Sequence, residues 1–211
     1  MEFKFPPPDT ADDTGLVAVT DSMTPELVLQ AYREGIFPWS DNPVRWYSPD
    51  PRAIFVAEHV RLPKNLGRLA RKQKFVVTFD QAFADVMRGC AKEHFHEGAW
   101  ISRGFIKTYS ALHAMGFGHS VEVWQNEALV GGLYGVQIGG FFSGESMFYT
   151  VSNAYKVAFA ALIDKLATIG ATLLDAQAIN AHTARLGAVL VRRETYLKVL
   201  KKAIKLDCPW S

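Results

Sequence analysis

Two polar residues end an otherwise apolar segment, which reads Thr-Leu-Leu-Asp-Ala-Gln over positions 172–177. This pattern predicts a buried strand, and because side chains alternate along a strand, Asp175 and Gln177 should point from the same face. A carboxylate and an amide on one face can orient each other, and the amide can hydrogen-bond a reacting amine or carbonyl. A plainer alternative is that the two residues only satisfy each other at the end of a strand.

A third polar side chain, Glu145, lies inside the apolar segment 141–148, which reads Phe-Phe-Ser-Gly-Glu-Ser-Met-Phe. A carboxylate in such surroundings needs a cation, because burying an unpaired charge is costly. That cation can belong to a bound ligand, or it can be Arg45 or Arg52 in a structural ion pair.

Several familiar catalytic patterns are incomplete. Ser146 lacks the glycine two residues later that a serine-hydrolase elbow requires, since Phe148 stands there. Cys90, His94 and His96 lie close together but have no fourth ligand nearby, so we predict no metal. The chain also lacks the glycine patterns of dinucleotide-binding and P-loop proteins.

Length and composition indicate a folded globular protein. The chain has 211 residues and 23.5 kDa, with 49% hydrophobic and 21% charged residues, which favours one large domain, or a small one packed on a larger one. Two cysteines are too few for a disulfide framework and indicate a reducing compartment. Neither a signal peptide nor an apolar run of membrane length is visible, so we expect a cytoplasmic protein without a membrane partner.

The net charge of +2 hides an uneven distribution. Residues 60–74, called here the first basic strip, hold six basic and no acidic side chains; residues 192–205, the second basic strip, hold six basic and one acidic. The strips therefore sum to +11 and the rest of the chain to −9. This pattern is typical of an acidic body that presents basic surfaces to an anionic partner.

The N-terminal part contains one clear helix. Thr24, Pro25 and Gly35 supply an N-cap, a first-turn proline and a C-terminal stop, which predicts a helix over 25–34. Segment 36–51 has four prolines and four aromatic residues, so we expect a packed, extended wall. A short basic helix from Leu62 to Lys72 marks a boundary near residue 60, between a small N-terminal domain (1–60) and a catalytic domain (61–211).

The sequence of the larger, C-terminal domain predicts alternating helices and strands. Asp80 is expected to cap one helix, Ser102 to begin a second, and Asn153 to cap a long third helix that Gly170 ends. Three antiparallel strands joined by tight turns are expected between residues 118 and 148. The strand at 172–177, a short helix, a strand at 189–191 and a last helix at 194–204 follow. This order suggests an α/β (α+β) fold whose C-terminal domain is like that of the Gcn5-related N-acetyltransferases.

Six segments together carry a resemblance to a known family. They are Ile36-Phe-Pro-Trp39, Trp46-Tyr-Ser-Pro-Asp-Pro-Arg52, His119-Ser-Val-Glu-Val-Trp124, Val130-Gly-Gly-Leu-Tyr-Gly135, Phe142-Ser-Gly-Glu-Ser-Met-Phe148, and Asp175-Ala-Gln177 leading to Asn180-Ala-His-Thr-Ala-Arg-Leu-Gly-Ala188. Through these segments the chain resembles the bacterial leucyl/phenylalanyl-tRNA–protein transferases, from about Leu27 to Leu200. The resemblance implies an enzyme that moves Leu or Phe, and less often Met, from aminoacyl-tRNA to an N-terminal Arg or Lys of a protein, which marks that protein for degradation.

The same resemblance implies roles for particular residues, with neither coenzyme A nor metal as a cofactor. Asp175 and Gln177 form the catalytic centre. Gln177 is expected to position the attacking amine, and Asp175 is expected to fix the side-chain amide of Gln177. Glu145 and Asn180 contact the acceptor. The apolar pocket for the aminoacyl group comprises Trp100, Leu133, Phe142, Phe159, Leu162 and Leu174. Any of these apolar side chains can instead be core.

The first basic strip is the expected tRNA contact. Its basic residues recur at three- and four-residue spacing and would share one helix face; they are Arg61, Lys64, Arg68, Arg71 and Lys72. A surface helix that only aids solubility is the alternative.

Two other functions remain open from sequence. An N-acetyltransferase would cradle the pyrophosphate of its coenzyme with a glycine-containing loop before the long helix, but segment 147–153 has no glycine. A non-enzymatic tRNA-binding module would explain the basic strips and leave Glu145, Asp175 and Gln177 without a purpose.

Overall fold

The computed structural model describes residues 3–93 and 101–210, and it shows a mixed α/β protein with two sheets. The strands are β1 (Leu16–Thr20), β2 (Phe37–Asp41), β3 (Val44–Tyr47), β4 (Arg52–Phe55), β5 (Val76–Phe79), β6 (Gly118–Gln125), β7 (Ala128–Ile138), β8 (Phe141–Tyr149), β9 (Leu173–Gln177) and β10 (Ala188–Val191). The helices are α1 (Pro25–Arg33), α2 (Leu66–Lys72), α3 (Phe83–Glu93), α4 (Arg103–Ala114), α5 (Ala154–Thr168), α6 (Ala181–Leu186) and α7 (Arg193–Ala203).

The small sheet, in the order β1-β3-β2, lies in the N-terminal part next to α1. Helix α1 begins as predicted, because the Thr24 hydroxyl accepts the backbone N–H of Leu27. The segment predicted as an extended wall forms the antiparallel pair β2 and β3, which turns at Pro43.

The large sheet has the order β10-β4-β9-β8-β7-β6-β5 and is antiparallel except between β8 and β9. Strands β6, β7 and β8 confirm the predicted meander of three antiparallel strands. The domain boundary at residue 60 stays a prediction, although β4, which precedes it, is an inner strand of this sheet.

Helices cover both faces of the large sheet, because each face buries its own apolar cluster. One cluster joins buried residues of α1, α3, α4 and α7. The other joins α5 and Leu66 of α2 to the opposite face. The sheet is therefore the middle layer of the larger part.

The parallel pair β8 and β9 creates the feature on which the site depends. Their ladder joins Phe141 to Leu173, Phe142 to Leu174, and Ser143 to Asp175. Both strands are fully described and continue beyond this last pair. They therefore separate at the point where β8 reaches Glu145 and β9 reaches Gln177.

Three local predictions need correction. Helix α2 begins at Leu66, so Arg61 and Lys64 precede it; the Pro63 carbonyl accepts the Leu66 N–H at 2.9 Å in a turn that comes before the helix. Asp80 caps no helix: its carboxylate accepts the N–H of Ser120 and contacts His119.

Asn153 also differs from the prediction. It stands at the N-cap position of α5 with a left-handed backbone (φ 71°), and its side chain caps no helical N–H. Its amide oxygen instead accepts the Lys156 ammonium at 3.3 Å. Among residues 3–93 and 101–210, no helix combines the length and apolar character needed to cross a membrane.

Candidate active site

A cleft of about 770 Å³ opens where β8 and β9 separate. It is lined by eight of the residues singled out from sequence: Leu133, Glu145, Phe159, Leu162, Leu174, Asp175, Gln177 and Asn180. Polar groups converge at one part of this cleft and apolar side chains line another, which is the usual character of a small-molecule site.

Glu145 reaches the cleft because it occupies a β-bulge. Tyr134 pairs with Ser146 and Gly135 pairs with Gly144, so the register leaves Glu145 as the extra residue of β8. A bulge redirects the side chain of the extra residue. Gly135 permits this close packing, since a Cβ there would lie 2.2 Å from the Ser143 carbonyl oxygen.

The Glu145 carboxylate is held by neutral donors. It accepts hydrogen bonds from the hydroxyls of Tyr32 (2.7 Å), Ser143 (2.8 Å) and Tyr109 (3.4 Å) and from the Gln177 amide (2.8 Å). Burial raises the pKa of the two tyrosines, which keeps them protonated as donors.

The same environment changes the acidity of Glu145. Burial of the carboxylate raises its pKa to about 7, against the opposing effect of the hydrogen bonds from Tyr32, Ser143 and Gln177. None of the four donors that the described residues supply is a cation. The structural ion pair with Arg45 or Arg52, considered from sequence, is therefore not formed: Arg45 is exposed and Arg52 binds a different carboxylate.

Arg52 and Asp175 form a buried ion pair between β4 and β9. The Arg52 Nε and Nη2 atoms donate to the two carboxylate oxygens at 2.9 and 2.5 Å, and the Tyr196 hydroxyl donates to the same carboxylate at 2.9 Å. The guanidinium also donates to the Gly35 carbonyl and lies 4.6 Å from the Phe37 ring centroid. Its attraction to Asp175 raises the pKa of Arg52 despite the burial.

Asp175 therefore supports Gln177 differently from the expectation. Its carboxylate accepts the backbone N–H of Gln177 at 2.8 Å, whereas the Gln177 amide donates to Glu145 and to Ser143. Gln177 also has a left-handed backbone (φ 62°), which departs from the strand geometry behind the prediction of a shared face. Such a conformation costs about 1 kcal/mol or more for a residue with a Cβ, and the bond from Asp175 helps to hold it.

Asn180 has a structural role at the same edge of the cleft. Its side-chain oxygen accepts the N–H groups of His182 and Thr183, and the Thr183 hydroxyl accepts the Asn180 N–H, which completes a capping box for α6. The amide nitrogen of Asn180 is not needed for this cap. Contact with an acceptor stays a prediction.

The apolar part of the cleft brings together most of the predicted aminoacyl pocket. Leu133, Phe159, Leu162 and Leu174 line it, and Phe55 and Met147 add apolar surface that the sequence prediction missed. Phe142 is fully buried with its ring stacked on Trp210 at 5.7 Å and is not among the residues that line the cleft, so its place in the pocket stays a prediction. Trp100 lies outside the described residues.

The five predicted tRNA contacts are all exposed, but only some share a helix. Arg68, Arg71 and Lys72 lie in α2, whereas Arg61 and Lys64 lie in the extended chain before it. In the part of the chain that the structure describes, no group of three or more His, Cys, Asp or Glu side chains could hold a metal ion. His94 and His96 lie outside that part.

Sequence reasoning missed the residues that hold the polar groups in place. Tyr32 and Tyr109 recur with the apolar residues of two amphipathic helices, which indicates core positions. Arg52 was considered as a partner for Glu145 and not for Asp175. Of the residues that hold Glu145, Ser143 alone could have been found from sequence, because it lies in the same segment, 141–148, as Glu145.

Comparisons with known proteins agree on one family. Residues 54–201 match the leucyl/phenylalanyl-tRNA protein transferase family, and residues 21–50 match its N-terminal domain. Relatives called leucyl/phenylalanyl-tRNA–protein transferase include one from Syntrophotalea carbinolica (45% identity, 96% of this chain, 90% of that protein) and one from Hydrogenovibrio crunogenus (44%, 98% and 84%).

A relative from Shewanella baltica is 43% identical over 94% of this chain and 86% of its own length. Among solved structures, a DUF2156 domain from Agrobacterium fabrum gives a TM-score of 0.41 with 8% identity, over 88% of this chain and 58% of that one, a likeness too distant to bear on function. The extent and identity of the sequence matches show that this chain belongs to the leucyl/phenylalanyl-tRNA protein transferase family and is an aminoacyltransferase.

Proposed function

We propose that the chain transfers Leu or Phe, and less often Met, from aminoacyl-tRNA to an N-terminal Arg or Lys of an acceptor protein. The new N-terminal residue then marks the acceptor for degradation. Because charged tRNA is a cytoplasmic substrate, the reaction belongs in the cytoplasm.

One observation carries the proposal: an apolar cleft ends at the partly buried carboxylate of Glu145, which has no cation as a partner among residues 3–93 and 101–210. The apolar lining by Leu133, Phe159 and Leu162 suits a Leu, Phe or Met side chain. The carboxylate of Glu145 suits the guanidinium or ammonium of the acceptor, which would supply the missing positive charge. Binding that cation favours the ionised carboxylate and lowers the raised pKa of Glu145.

The chemical step is aminolysis of an ester that is already activated. The acceptor's α-amine forms a bond to the aminoacyl carbonyl carbon, the bond from that carbon to the tRNA ribose oxygen breaks, and the amine proton ends on the leaving oxygen. An α-amine has a pKa of about 7.7–8.0, so a useful fraction is neutral near pH 7. Orientation can therefore supply much of the rate.

Gln177 is the group that we assign to orientation. Its amide nitrogen is turned to Glu145 and Ser143, which directs the carbonyl end of the same amide away from the carboxylate. That oxygen can accept a hydrogen bond from the attacking amine. Asp175 acts indirectly, through the backbone N–H of Gln177.

The fold and the basic surface support the same proposal. Separation of the parallel strands β8 and β9 beside the long helix α5 fits an arrangement like that of the Gcn5-related N-acetyltransferases. The lack of glycine in segment 147–153 argues against a coenzyme pyrophosphate at that point. The first basic strip would bind the tRNA backbone.

The direct test is incubation with radiolabelled leucyl-tRNA and a purified protein that begins with Arg. We expect label to be incorporated at the N-terminus, with much less incorporation into the same protein beginning with Ala. The Glu145→Gln variant is the matched control, because it keeps the shape of the side chain and removes its charge. Equal labelling of both proteins by the parent enzyme would contradict the proposed acceptor.

A further inference from the structure

Residues 204–210, called here the return segment, follow α7 and fold back onto the large sheet. The side-chain amide of Gln137, a buried residue of β7, donates to the Cys208 carbonyl at 2.6 Å. Gln137 is also the cross-strand partner of Phe142 on β8. This hydrogen bond therefore ties the return segment, and Trp210 within it, to the part of the sheet that carries Phe142.

The Trp210 ring lies against two rings of this sheet. Its centroid is 4.2 Å from that of His119, with the two planes 18° apart, and 5.7 Å from that of Phe142. The Asp80 carboxylate lies 2.8 Å from Nδ1 of His119, a hydrogen bond that fixes the imidazole ring. The Phe142 ring also covers Gly135, where a Cβ would collide with it. Trp210 is thus one of the residues that hold the Phe142 ring in place.

Trp210 also reaches the helix that carries part of the predicted aminoacyl pocket. The Lys165 ammonium lies 5.4 Å from the Trp210 ring centroid, and Lys165 is one turn beyond Leu162 on α5. Trp210 packs against the hydrophobic cluster that contains the apolar side chains of the cleft, which are Leu133, Phe159, Leu162 and Leu174. It is not itself among the residues that line the cleft. Trp210 therefore lies behind the pocket, between α5 and the sheet.

We propose that Trp210 is a positioning residue that sets the depth of the aminoacyl pocket, and with it the discrimination between small and large aminoacyl side chains. The inference rests on the proposed function, because it requires the aminoacyl side chain to fill the apolar lining. Protein interiors are close-packed, so a side chain behind a wall fixes where that wall stands. One methylene group in an apolar pocket changes discrimination by roughly 10–200-fold, so a small shift of the wall has a measurable effect.

A purely structural role is the alternative, because a half-buried tryptophan such as Trp210 also seals the edge of a core. The two roles differ in their effect on different ligands. Partial unfolding lowers the fraction of binding-competent protein, which weakens the binding of every aminoacyl group by the same factor. A displaced pocket wall changes the ratio between the affinities for small and large aminoacyl groups. That ratio is therefore the quantity to measure.

The test uses stable 3′-amide analogues of leucyl-, phenylalanyl- and tryptophanyl-adenosine, which bind without transferring their aminoacyl group. In Trp210→Ala, the Phe142 ring can move into the vacated volume and deepen the pocket. We expect affinity for the leucyl analogue to fall about tenfold relative to affinity for the tryptophanyl analogue, with the phenylalanyl analogue between them. Trp210→Phe keeps a ring against His119 and Phe142, so its ratio should stay close to that of the parent.

The controls separate this inference from folding and from the proposed function. Trp124→Ala removes another half-buried tryptophan, at the far end of β6 from His119, and should leave the ratio unchanged. If Trp210→Ala does not fold, Trp210→Leu carries the test, with a shift in the same direction. Equal changes in affinity for all three analogues would overturn the inference. Failure of leucyl transfer by a parent enzyme that binds the leucyl analogue would instead contradict the proposed function.

Discussion

The side-chain amide of Gln177 donates to the carboxylate of Glu145 at 2.8 Å, across the gap that opens where strands β8 and β9 separate. Each residue reaches the gap through an irregular backbone, a bulge at Glu145 and a left-handed conformation at Gln177. Such irregularities persist only when the surrounding structure holds them, and they concentrate at functional sites. The pair thus links a proposed charge selector to a proposed positioning residue.

Glu145→Gln should remove selection of the acceptor by charge. Losing one member of a desolvated ion pair costs about 3–5 kcal/mol, so kcat/KM for peptides beginning with Arg should fall by a factor of at least about one hundred. Peptides beginning with citrulline, which is neutral, should be affected much less. The measurement is kcat/KM for Arg, Lys, citrulline and Ala peptides, with binding of leucyl-tRNA as the control. An equal loss on charged and neutral acceptors would assign Glu145 a structural role.

The raised pKa of Glu145 should make the folded state less stable as pH rises. Below its ordinary pKa of 4.5 both states hold the proton; between 4.5 and about 7 the unfolded chain releases it and the folded protein keeps it. The cost therefore grows through this window and is constant above it, and it reaches at most about 3 kcal/mol. Glu145→Gln should gain stability relative to the parent from pH 4 to pH 8.

This pH effect is measured as the difference between the urea unfolding free energies of parent and variant, which cancels groups common to both. Glu194→Gln is the matched control. Its carboxylate is exposed and paired with Lys198, which lowers its pKa, so any difference should be small and of opposite sign. A difference for Glu145→Gln that does not change with pH would show that its pKa is not raised.

Arg52→Met should destabilise the protein strongly. It leaves the buried Asp175 carboxylate without its cation, a loss of about 3–5 kcal/mol for a buried pair. Arg45→Met is the control, since Arg45 is exposed and a surface substitution of this kind changes stability by about 0.5 kcal/mol or less. Urea midpoints of the two variants should differ clearly; similar midpoints would contradict the importance of the pair.

Gln177→Ala should reduce turnover with every acceptor, including small amines, because the attacking nitrogen is common to all of them. Gln177→Asn keeps the amide and tolerates a left-handed backbone, but it is one methylene shorter, so it too should lose rate. Gln177→Ala tests the chemical step better than Asp175→Asn, which also breaks the ion pair with Arg52. The measurement is kcat with a charged and with a neutral amine acceptor. A fall in kcat with one of the two acceptors alone would refute a common positioning role for Gln177.

Arg68→Glu with Arg71→Glu should weaken aminoacyl-tRNA binding for every tRNA and flatten its dependence on salt, because fewer counterions are released. Lys201→Glu with Lys202→Glu reverses the same charge in the second basic strip, on exposed positions of α7. We expect that control to bind tRNA like the parent. A salt titration that gives the same slope for parent and Arg68/Arg71 variant would rule out the first basic strip as the tRNA contact.

The amino-acid sequence by itself determined the elements and most of the chemical inventory. Local signals at Thr24, Ser102 and Gly170 correctly placed helix ends, because caps and glycine stops act within one turn of the chain. Alternating apolar residues and turn signals likewise predicted the meander of β6, β7 and β8. The six segments that include those around Glu145 and Asp175 were together sufficient to identify the family.

Only the tertiary structure decided which charges meet. Arg52 and Asp175 are 123 residues apart, and they pair because β4 enters the sheet beside β9. No local pattern encodes such a contact, so the sequence suggested Arg52 only as a partner for Glu145. Phe142 shows the same limit: along a strand a core ring and a pocket ring have the same residue type, and its stacking on Trp210 is visible only in the tertiary structure.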